Sequence, residues 1–402
     1  MVSVRYSLYL HIPFCRHRCA YCDFNTYAGQ DSFRDAYVEA LCREAGFAAE
    51  ARGERLPVHT IFFGGGTPSL LSTAQFRRIL AALNGGFDID PDAEISLEAN
   101  PGTVSADGLK GLRQAGFNRI SLGMQSAHPD DLHLLEREHS FLEVIQAVKW
   151  ARQAGFENLN LDLMFGLPFQ TLERWRDSLE RALALGPEHL SLYALTVEHG
   201  TPFQHWTDRG LIPPSDPDLA ADMYELAESS LAQAGFRHYE ISNWARIRPD
   251  GTDFACRHNL QYWRNLPYLG FGAGAHGFPG DARTANVLAI PAYIQRVRSG
   301  AVQPVPATPA TASLTPIDRE TDIEETMMVG LRLLEEGVSA VDFQARFGQR
   351  LVDVFPGEIA RLIRLGLLEW GGAGSDRLRL TAKGHLLGNQ VFVEFVGRET
   401  AG

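Results

Sequence analysis

Three cysteines near the beginning of the chain are the residues whose type and spacing carry the clearest chemistry. Cys15, Cys19 and Cys22 lie in the run HIPFCRHRCAYCDF with the spacing C-x3-C-x2-C, in a chain that has only five cysteines. Cysteine thiolates hold four-iron clusters, and four irons require four ligands. The three cysteines therefore predict a 4Fe–4S cluster with one iron open to an exchangeable ligand, which is where chemistry can occur.

The spacing alone leaves two other interpretations open. C-x2-C pairs also bind zinc, and His11 or His17 could supply a fourth zinc ligand. A coincidence of core cysteines is the other alternative, although it does not suit so dense a group. The two remaining cysteines lie apart from the group: Cys42 stands in an apolar helical stretch and is expected to be a core residue, and Cys256 precedes a second motif. Five cysteines arranged in this way do not form a disulfide framework.

A glycine-rich run, FFGGGTP at residues 62–68, directly follows a predicted strand. Consecutive glycines expose backbone N–H and C=O groups without side-chain obstruction. The run predicts a tight turn from a strand to a helix, and on its own it would be a weak functional signal. Gly65, Gly66 and Thr67 become candidate binding residues because they follow a three-cysteine loop.

Four polar residues stand at or near the ends of later predicted strands. Glu98 closes ISLEANPG, Gln125 closes ISLGMQS, Asp162 lies inside the apolar run LNLDLMFGLP, and Arg137 lies in LEREH. A charge within an apolar strand is costly unless it is paired. Capping of the next turn would explain Glu98 and Gln125, a buried salt bridge would explain Asp162, and a solvated helix position would explain Arg137.

A second cluster of aromatic and polar residues follows Cys256 in the run CRHNLQYWRNLPYLGFGAGAHG. His258, Asn259, Tyr262 and Trp263 form the pattern H-N-x2-Y-W. A purely structural interpretation is that these residues pack in the core and that the histidine is hydrogen-bonded there. The GFGAGAHG run is not a dinucleotide fingerprint, because it lacks the preceding strand and the later acidic residue; we expect it to let the backbone approach the mouth of a barrel.

Alternating strands and helices must position these residues. Apolar runs and helical patterns alternate through the first 236 residues, and QAGF recurs where a helix stops before the next strand. The predicted strands are Ser7–Ile12, Thr60–Phe63, Glu94–Glu98, Arg119–Gly123, Leu159–Phe165 and His189–Thr196. The predicted helices include Ser32–Glu50, Thr73–Leu83, His128–Leu135 and Leu172–Leu185. The fold class is therefore α/β, a partial (β/α)6 TIM-like barrel whose chemistry gathers at the C-terminal ends of the strands.

The alternation of predicted strands and helices stops after residue 236. Residues 237–298 are rich in aromatics and glycine, residues 299–317 are rich in proline and small residues and are predicted to be a linker, and residues 318–402 form a last domain. The last domain is predicted to be small, mostly helical and winged-helix-like. It has ten Arg and Lys against fourteen Asp and Glu, so we expect a packing module rather than a DNA reader.

Charge and hydropathy bound the class of protein. The formal net charge of −12 disfavours sequence-independent nucleic-acid binding. The N-terminal run lacks the layout of a signal peptide, and no apolar run reaches the roughly 18–20 residues that a membrane helix needs. The sequence therefore predicts a cytoplasmic protein that does not bind nucleic acid.

The residues around the cysteines resemble the radical S-adenosylmethionine superfamily, in its branch that contains the oxygen-independent coproporphyrinogen III oxidase. The resemblance runs from Tyr9 to the C-terminal LTAKGHLLGNQVF. It implies that the three cysteines bind a 4Fe–4S cluster. It also implies that the glycine loop binds the methionine amino group of S-adenosylmethionine, and that the other cofactor contacts are Tyr9, Glu98, Gln125, Arg137 and Asp162.

Two functions compete within that branch. The oxidase has a fourth cysteine two residues beyond the third and a longer segment before its cysteines, whereas this chain has Phe24 and only 14 preceding residues. H-N-x2-Y-W resembles the signature of the branch's heme chaperones. Imidazole is a usual ligand of heme iron and flat aromatics suit a flat ligand, so the resemblance implies heme binding through His258, with Asn259, Tyr262 and Trp263 nearby. Oxidative decarboxylation of coproporphyrinogen III is the alternative.

The resemblance also implies partners. A chaperone would deliver heme to acceptor hemoproteins, with respiratory, membrane-associated proteins as the family-based expectation and attachment at the membrane through them. Reducing the cluster would need a low-potential electron donor such as flavodoxin or ferredoxin. The sequence leaves open whether S-adenosylmethionine is cleaved, whether the cofactors serve dimerisation, as in a homodimer, or heme release, and what Cys256 does.

Overall fold

A computed structural model describes residues 5–372 and 374–397. The chain forms two compact units. The first unit comprises Met1–Ala234 and Pro267–Thr315, and the second comprises Gly235–Leu266 and Pro316–Gly402. Each unit is therefore built from two separate stretches of the chain.

Strands and helices alternate along most of the first unit, and the strands of both units are given first. The described strands are β1 (Tyr6–Ile12), β2 (Phe14–Cys15), β3 (Tyr27–Ala28), β4 (Pro57–Gly65), β5 (Asp88–Ala99), β6 (Arg119–Gln125), β7 (Asn158–Phe165), β8 (His189–Ala194), β9 (Arg237–Glu240), β10 (Asn243–Ala245), β11 (Tyr268–Phe271), β12 (His276–Gly277), β13 (Ala282–Asn286), β14 (Thr311–Pro316), β15 (Val338–Ser339), β16 (Leu368–Gly371) and β17 (Arg377–Leu380).

The described α-helices are α1 (Arg34–Arg52), α2 (Thr73–Gly86), α3 (Ala106–Ala115), α4 (Pro129–Leu134), α5 (Phe141–Ala154), α6 (Leu172–Ala184), α7 (Pro202–Asp208), α8 (Pro217–Gln233), α9 (Arg257–Trp263), α10 (Ile290–Ser299), α11 (Arg319–Gly330), α12 (Ala340–Phe347), α13 (Leu351–Val354), α14 (Pro356–Arg364), α15 (Ala382–Leu386) and α16 (Gly388–Phe392). Short 3-10 helices lie at Asp31–Phe33, Pro68–Leu70, Pro101–Thr103 and Val393–Phe395.

Seven parallel strands form the sheet of the first unit, in the order β11-β1-β4-β5-β6-β7-β8. Leu8, Leu10 and Ile12 on one face of β1 are fully buried, and Ser7 and His11 on its other face are buried as well. A parallel strand covered on both faces is expected to show this pattern. The six predicted strands are all present, and the predicted α/β partial barrel is confirmed. Sequence analysis did not predict β11, because YLGF is short and is surrounded by proline and glycines.

Local signals in the sequence determine where the helices begin and end. Ser72 caps α2 and Ser140 caps α5. In each case the serine side chain accepts a hydrogen bond from the backbone N–H three residues later, and the side chain of that later residue accepts one from the serine N–H. Gly116 and Gly155 adopt left-handed conformations at the ends of α3 and α5, which explains the recurring QAGF phrase. Helix α1 ends at Arg52, and Gly53 provides its left-handed cap.

The structure divides the middle of the chain differently from the predicted boundaries. Residues 237–298 do not form one segment, because the chain passes from the second unit to the first at Pro267. Residues 299–317, the predicted linker, contain β14, and Thr308 donates a hydrogen bond of 2.9 Å to the buried carboxylate of Glu44. A composition rich in proline indicates little regular structure, but it does not reveal such a tertiary anchor.

The second unit combines helices with an antiparallel sheet in the order β15-β17-β16. Its core is apolar, and Met327, Leu331 and Phe355 are fully buried within it. The prediction of a small, mostly helical last domain is confirmed. The three-stranded sheet was not predicted, and the unit also includes residues 235–266. Within the described parts of both units, no helix has the length and apolar character that crossing a membrane requires.

Candidate functional site

A cavity of about 600 Å³ lies in the first unit, at the C-terminal ends of its parallel strands. This size is typical of a small-molecule or cofactor site. The cavity brings together ten residues that sequence analysis singled out: Cys15, Cys19, Cys22, Gly65, Gly66, Thr67, Glu98, Gln125, Arg137 and Asp162. These residues come from strands and loops spread over almost 150 positions of sequence, so the fold is what assembles them.

The three cysteines are free thiols, and each has a polar neighbour. Thr67 Oγ1 donates to Cys15 Sγ over 3.6 Å, and Arg137 Nη1 donates to Cys19 Sγ over the same distance. Burial raises the pKa of the Cys15 and Cys22 thiols. Because metal ligands must be thiolates, binding a metal here would release protons.

The two histidines considered as zinc ligands are already engaged. His11 is buried, and its ring nitrogens bond to the hydroxyl of Tyr9 (2.9 Å) and the carbonyl of Asn25 (2.9 Å). His17 Nε2 lies 3.0 Å from a carboxylate oxygen of Glu136. His11 could join a zinc site only by losing both of these bonds. His17 is held by one exposed ion pair, which is weak, so its contact does not decide between zinc and iron.

The glycine loop must be glycine because the cysteine loop packs directly against it. At Gly65, with φ of +114°, an added Cβ would lie 2.6 Å from the ring of His11. At Gly66 it would lie 2.6 Å from the carbonyl of Phe14 and 3.0 Å from Cys15 Sγ. Contacts this close exclude any side chain. The two loops therefore form one wall of the cavity.

Glu98 connects the glycine loop to the neighbouring strand. Its Oε2 accepts a hydrogen bond of 3.2 Å from the backbone N–H of Gly65. Burial, and then the nearby charge of Asp162, raises the pKa of the Glu98 carboxyl to about 7. The carboxyl therefore titrates near neutral pH, which is a common property of groups at functional sites.

Asp162 is held by neutral donors and not by a direct ion pair. Ser121 Oγ donates to it over 2.6 Å, and Asn160 Nδ2 donates over 2.8 Å. Burial raises the pKa of Asp162, while these bonds and the charge of Arg119 oppose that rise. The polar cluster on β6 and β7 therefore satisfies a carboxylate that lines the cavity.

The end of β6 brings Gln125 and Arg137 together. Gln125 has the left-handed φ of 62°, and Arg137 Nη2 donates 3.0 Å to the carbonyl of Gly123. A Cβ added at Gly123 would lie 3.1 Å from both Arg137 Nη2 and Gln125 Nε2. The strained turn and the glycine let an amide and a guanidinium share one corner of the cavity.

Tyr9 stands behind the glycine loop and is not among the residues that line the cavity. Its hydroxyl bonds to His11, and its ring stacks on Phe62 with centroids 6.4 Å apart. A Cβ added at Gly64 would lie 3.1 Å from the Tyr9 ring. Its position supports the loop from below; a direct contact with a cofactor stays a prediction.

The H-N-x2-Y-W residues belong to α9 of the second unit. His258 is 1% exposed, and its Nε2 lies 2.8 Å from the hydroxyl of Tyr262. The guanidinium of Arg332 lies 4.4 Å from the ring centroid of Trp263 and covers one of its faces. Asn259 is half-buried. The motif thus forms a compact polar and aromatic cluster in which His258 already has a partner.

Sequence analysis missed three polar residues of the first unit. Asn160 bridges Ser121 and Asp162. His139 lines the cavity and bonds to the carbonyl of Met124, and its pKa is lowered to about 4 by burial and by the charge of Arg137. Asn25 anchors the cysteine loop. Only position gave a signal: Asn160 is two residues before Asp162, and His139 is two residues after Arg137.

Comparison with known proteins agrees with this fold and site. Residues 9–182 match the family model of the radical SAM superfamily, and residues 317–387 match that of the HemN C-terminal domain. The solved coproporphyrinogen III oxidase HemN of Escherichia coli, a radical SAM enzyme, superposes with a TM-score of 0.81. It is 26% identical, and the match covers 98% of this chain and 90% of that one. The parallel sheet and the cysteine loop are thus those of the radical SAM class.

Curated relatives narrow the family. The heme chaperone HemW of Bacillus subtilis is 40% identical over 97% of this chain and 99% of its own length. HemW of Mycobacterium tuberculosis is 37% identical over 98% of this chain and 95% of its own. The Escherichia coli HemW is 43% identical over 67% of this chain and 69% of its own. The chain belongs to the HemW family.

The residues present fit the two cofactors that membership of the radical SAM superfamily implies, a 4Fe–4S cluster and S-adenosylmethionine. Three free thiols on one loop can provide three cluster ligands, and Gly66 keeps the space beside Cys15 Sγ open. Arg137 places a positive charge against the Cys19 sulfur, which suits a thiolate. The cavity beside the cysteine loop is large enough for a small-molecule cofactor.

We predict that Glu98→Gln stabilises the protein in alkaline but not in acidic solution. The folded-state pKa of about 7 lies above the ordinary value of 4.5, so ionising Glu98 costs stability as the pH rises between these values. Because the carboxyl faces the cavity, we discount the full shift and expect a gain on the order of 2 kcal/mol at pH 8 and almost none at pH 4.5. Urea unfolding of the cluster-free protein at both pH values measures this.

The control for this prediction is Glu50→Gln, which changes an exposed glutamate near the end of α1. It should leave the difference between the two pH values as it is in the wild type. Equal stability of Glu98→Gln and the wild type at pH 8 would contradict the assignment of a neutral-range carboxyl to Glu98.

Proposed function

We propose that this protein is a heme chaperone, which binds heme and delivers it to acceptor hemoproteins while carrying a 4Fe–4S cluster and S-adenosylmethionine. The observation that carries the proposal is the similarity, over 97% of the chain, to a relative named heme chaperone HemW. The fold does not distinguish a chaperone from an oxidase, because the HemN oxidase shares it. The distinction must therefore come from individual residues.

Phe24 supports the chaperone over the oxidase. It occupies the position where the oxidase resemblance requires a fourth cysteine, and its side chain is 64% exposed beside the cavity. An apolar aromatic ring that faces solvent does not ligate iron. Such a ring is suited to contact with an apolar ligand or partner.

His258 is the proposed axial ligand of heme iron. Imidazole is a usual heme ligand, and in this chain the Nε2 that would bind iron lies 2.8 Å from the Tyr262 hydroxyl. Ligation therefore requires this hydrogen bond to break and the buried ring to become accessible. Asn259, Tyr262 and Trp263 are proposed to surround the bound heme.

The cavity of the first unit is the proposed site of the resident cofactors. Cys15, Cys19 and Cys22 would hold the cluster, which supplies one-electron chemistry when bound. The loop of Gly65, Gly66 and Thr67 would bind the amino group of S-adenosylmethionine through backbone groups that no side chain obstructs. The remaining contacts would be made by Tyr9, Glu98, Gln125, Arg137 and Asp162.

The partners of such a protein follow from this chemistry. A low-potential donor such as flavodoxin or ferredoxin would reduce the cluster, and the acceptor hemoproteins would include respiratory, membrane-associated ones. A homodimer and attachment at the membrane through acceptors belong to the same proposal. The net charge of −12 argues against nucleic acid as a partner.

Heme binding and porphyrinogen turnover, measured side by side on the anaerobically reconstituted protein, test the proposal. We expect a stable heme Soret band, transfer of heme to an apo-hemoprotein, and no protoporphyrinogen formation from coproporphyrinogen III with S-adenosylmethionine and reductant present. The HemN oxidase, assayed in the same mixtures, is the control for turnover. Sustained turnover without heme binding would overturn the proposal in favour of the oxidase.

A further inference from the structure

Asn25 lies three residues after Cys22, where the cysteine loop returns towards the sheet. Its side-chain amide donates to the carbonyls of Ala273 and Leu288, over 3.1 Å each, and its Oδ1 accepts a hydrogen bond of 2.9 Å from the Tyr27 hydroxyl. Both amide protons and the carbonyl oxygen are thus used. The side chain fastens the cysteine loop to a part of the chain about 250 residues away.

The GFGAGAHG run is shaped to receive Asn25. A Cβ added at Gly274, where φ is +76°, would lie 2.3 Å from Asn25 Nδ2. A Cβ added at Gly272 would lie 2.5 Å from the carbonyl of His11. The Tyr37 hydroxyl donates to that same carbonyl over 2.7 Å and accepts from the Ala273 N–H over 2.8 Å. Glycine is therefore required at both positions, at Gly272 by the His11 carbonyl and at Gly274 by the left-handed φ and the Asn25 side chain.

A buried carboxylate fixes the other side of this run. Glu44 of α1 is fully buried and accepts hydrogen bonds from the Gly272 N–H (2.8 Å), Asn286 (2.7 Å), Tyr293 (2.7 Å) and Thr308 (2.9 Å). A buried carboxylate with so many donors is well satisfied. The GFGAGAHG run that Asn25 contacts is therefore fixed by Glu44 as well as by Asn25.

The backbone of Asn25 reaches the glycine loop through His11. A carbonyl only accepts, so His11 Nε2 carries the proton that bonds to Asn25 O over 2.9 Å, and the bare Nδ1 accepts from the Tyr9 hydroxyl. The His11 ring in turn fills the space beside Gly65. The chain of contacts runs from the cysteine loop to the loop proposed to bind S-adenosylmethionine.

We propose that Asn25 is a positioning residue that sets the register between the cysteine loop and the glycine loop. Asn25 is not among the residues that line the cavity, so it acts through His11 and Gly65. The inference rests on the proposed cofactor site. It adds that the distance between the cluster ligands and the amino-acid end of S-adenosylmethionine depends on a side chain outside the cavity.

Two variants reach this contact from opposite sides. Asn25→Ala removes the amide, and Gly274→Ala keeps the amide but drives a methyl group into it. The matched control is Gly155→Ala at the end of α5, where φ is also left-handed at +91° but an added Cβ meets nothing within 4 Å. Each protein is reconstituted anaerobically and measured for iron per chain, for the Kd of S-adenosylmethionine by equilibrium dialysis, and for the paramagnetic resonance spectrum of the reduced cluster with and without it.

We expect both variants to retain wild-type iron, because all three cysteines remain. The Kd should rise about tenfold, the equivalent of roughly one hydrogen bond, and the change that S-adenosylmethionine causes in the spectrum should shrink. Gly155→Ala should match the wild type in iron content, Kd and spectral change. Wild-type Kd and spectral change in both variants would overturn the inference.

Loss of iron from both variants would also overturn it, because Asn25 would then be holding the cysteines and not the register. If only one variant fails to fold, the other decides, since each perturbs the same contact independently. Failure of the wild type itself to bind S-adenosylmethionine would reject the proposed cofactor site and this inference with it. Binding by the wild type with unaffected variants would reject the inference alone.

Discussion

Cys19→Ala is expected to reduce the iron content of the reconstituted protein from about four per chain to below about one. The three cysteines share one loop beside the cavity, and His11 and His17 are both engaged by other groups. The loop contains no fourth cysteine that could replace a lost thiolate. Iron and sulfide analysis after anaerobic reconstitution, together with the visible absorption spectrum, measures the effect.

Cys42→Ser is the matched control for this change. Cys42 lies on α1 and is only partly buried, and it is not among the residues that line the cavity. The control should retain the iron and sulfide content of the wild type. One zinc per chain in the wild type, without visible absorption, would contradict the prediction of an iron–sulfur cluster and would show that the cysteines bind zinc.

Ten of the residues that line the cavity could be predicted from the sequence, and most of these are marked by their position. The cysteines follow the first strand, the glycines lie at the end of β4, and Glu98 and Gln125 lie at or beside the ends of later strands. Parallel strands place their C-terminal ends at one edge of the sheet. Once the strands were predicted, their end residues were therefore expected to meet, and the cavity lining shows that they do.

The supporting residues could not be predicted in the same way. Asn25 meets Leu288 across 263 positions, and Glu44 meets Thr308 across 264. Nothing in a local pattern indicates such contacts, since an asparagine near a turn and a glutamate on a helix are ordinary residues. The strand β11 was missed for a related reason: it is held by pairing with β1, not by an apolar pattern of its own.

His258→Ala is expected to weaken heme retention by at least about tenfold, because it removes the proposed axial ligand of the iron. Iron and sulfide content should stay at the wild-type level, since the cysteines belong to a different unit of the chain. Heme titration followed at the Soret band, and gel filtration of the loaded protein, measure retention. Thermal unfolding checks that the loss of a buried side chain has not unfolded the second unit.

Tyr262→Phe separates ligation from packing at this position. The phenylalanine keeps the ring that packs edge-to-face on His258 at 4.9 Å but removes the hydroxyl that lies 2.8 Å from Nε2. If Nε2 must leave that hydroxyl to reach iron, the variant should bind heme several-fold more tightly, since one hydrogen bond of about 1 kcal/mol no longer opposes ligation. Weaker heme binding in His258→Ala together with tighter binding in Tyr262→Phe would indicate that His258 ligates the iron after it leaves its hydrogen bond to Tyr262.

Trp263→Phe completes the comparison as a change that affects stacking alone. One face of the Trp263 indole is already covered by Arg332, so a smaller ring should reduce heme affinity less than the loss of His258 does. The ligand assignment would be wrong if His258→Ala kept wild-type heme affinity and an unchanged Soret band. Weaker heme binding in Tyr262→Phe would contradict this expectation. The Tyr262 hydroxyl would then stabilise the heme-bound protein instead of competing with iron for His258 Nε2.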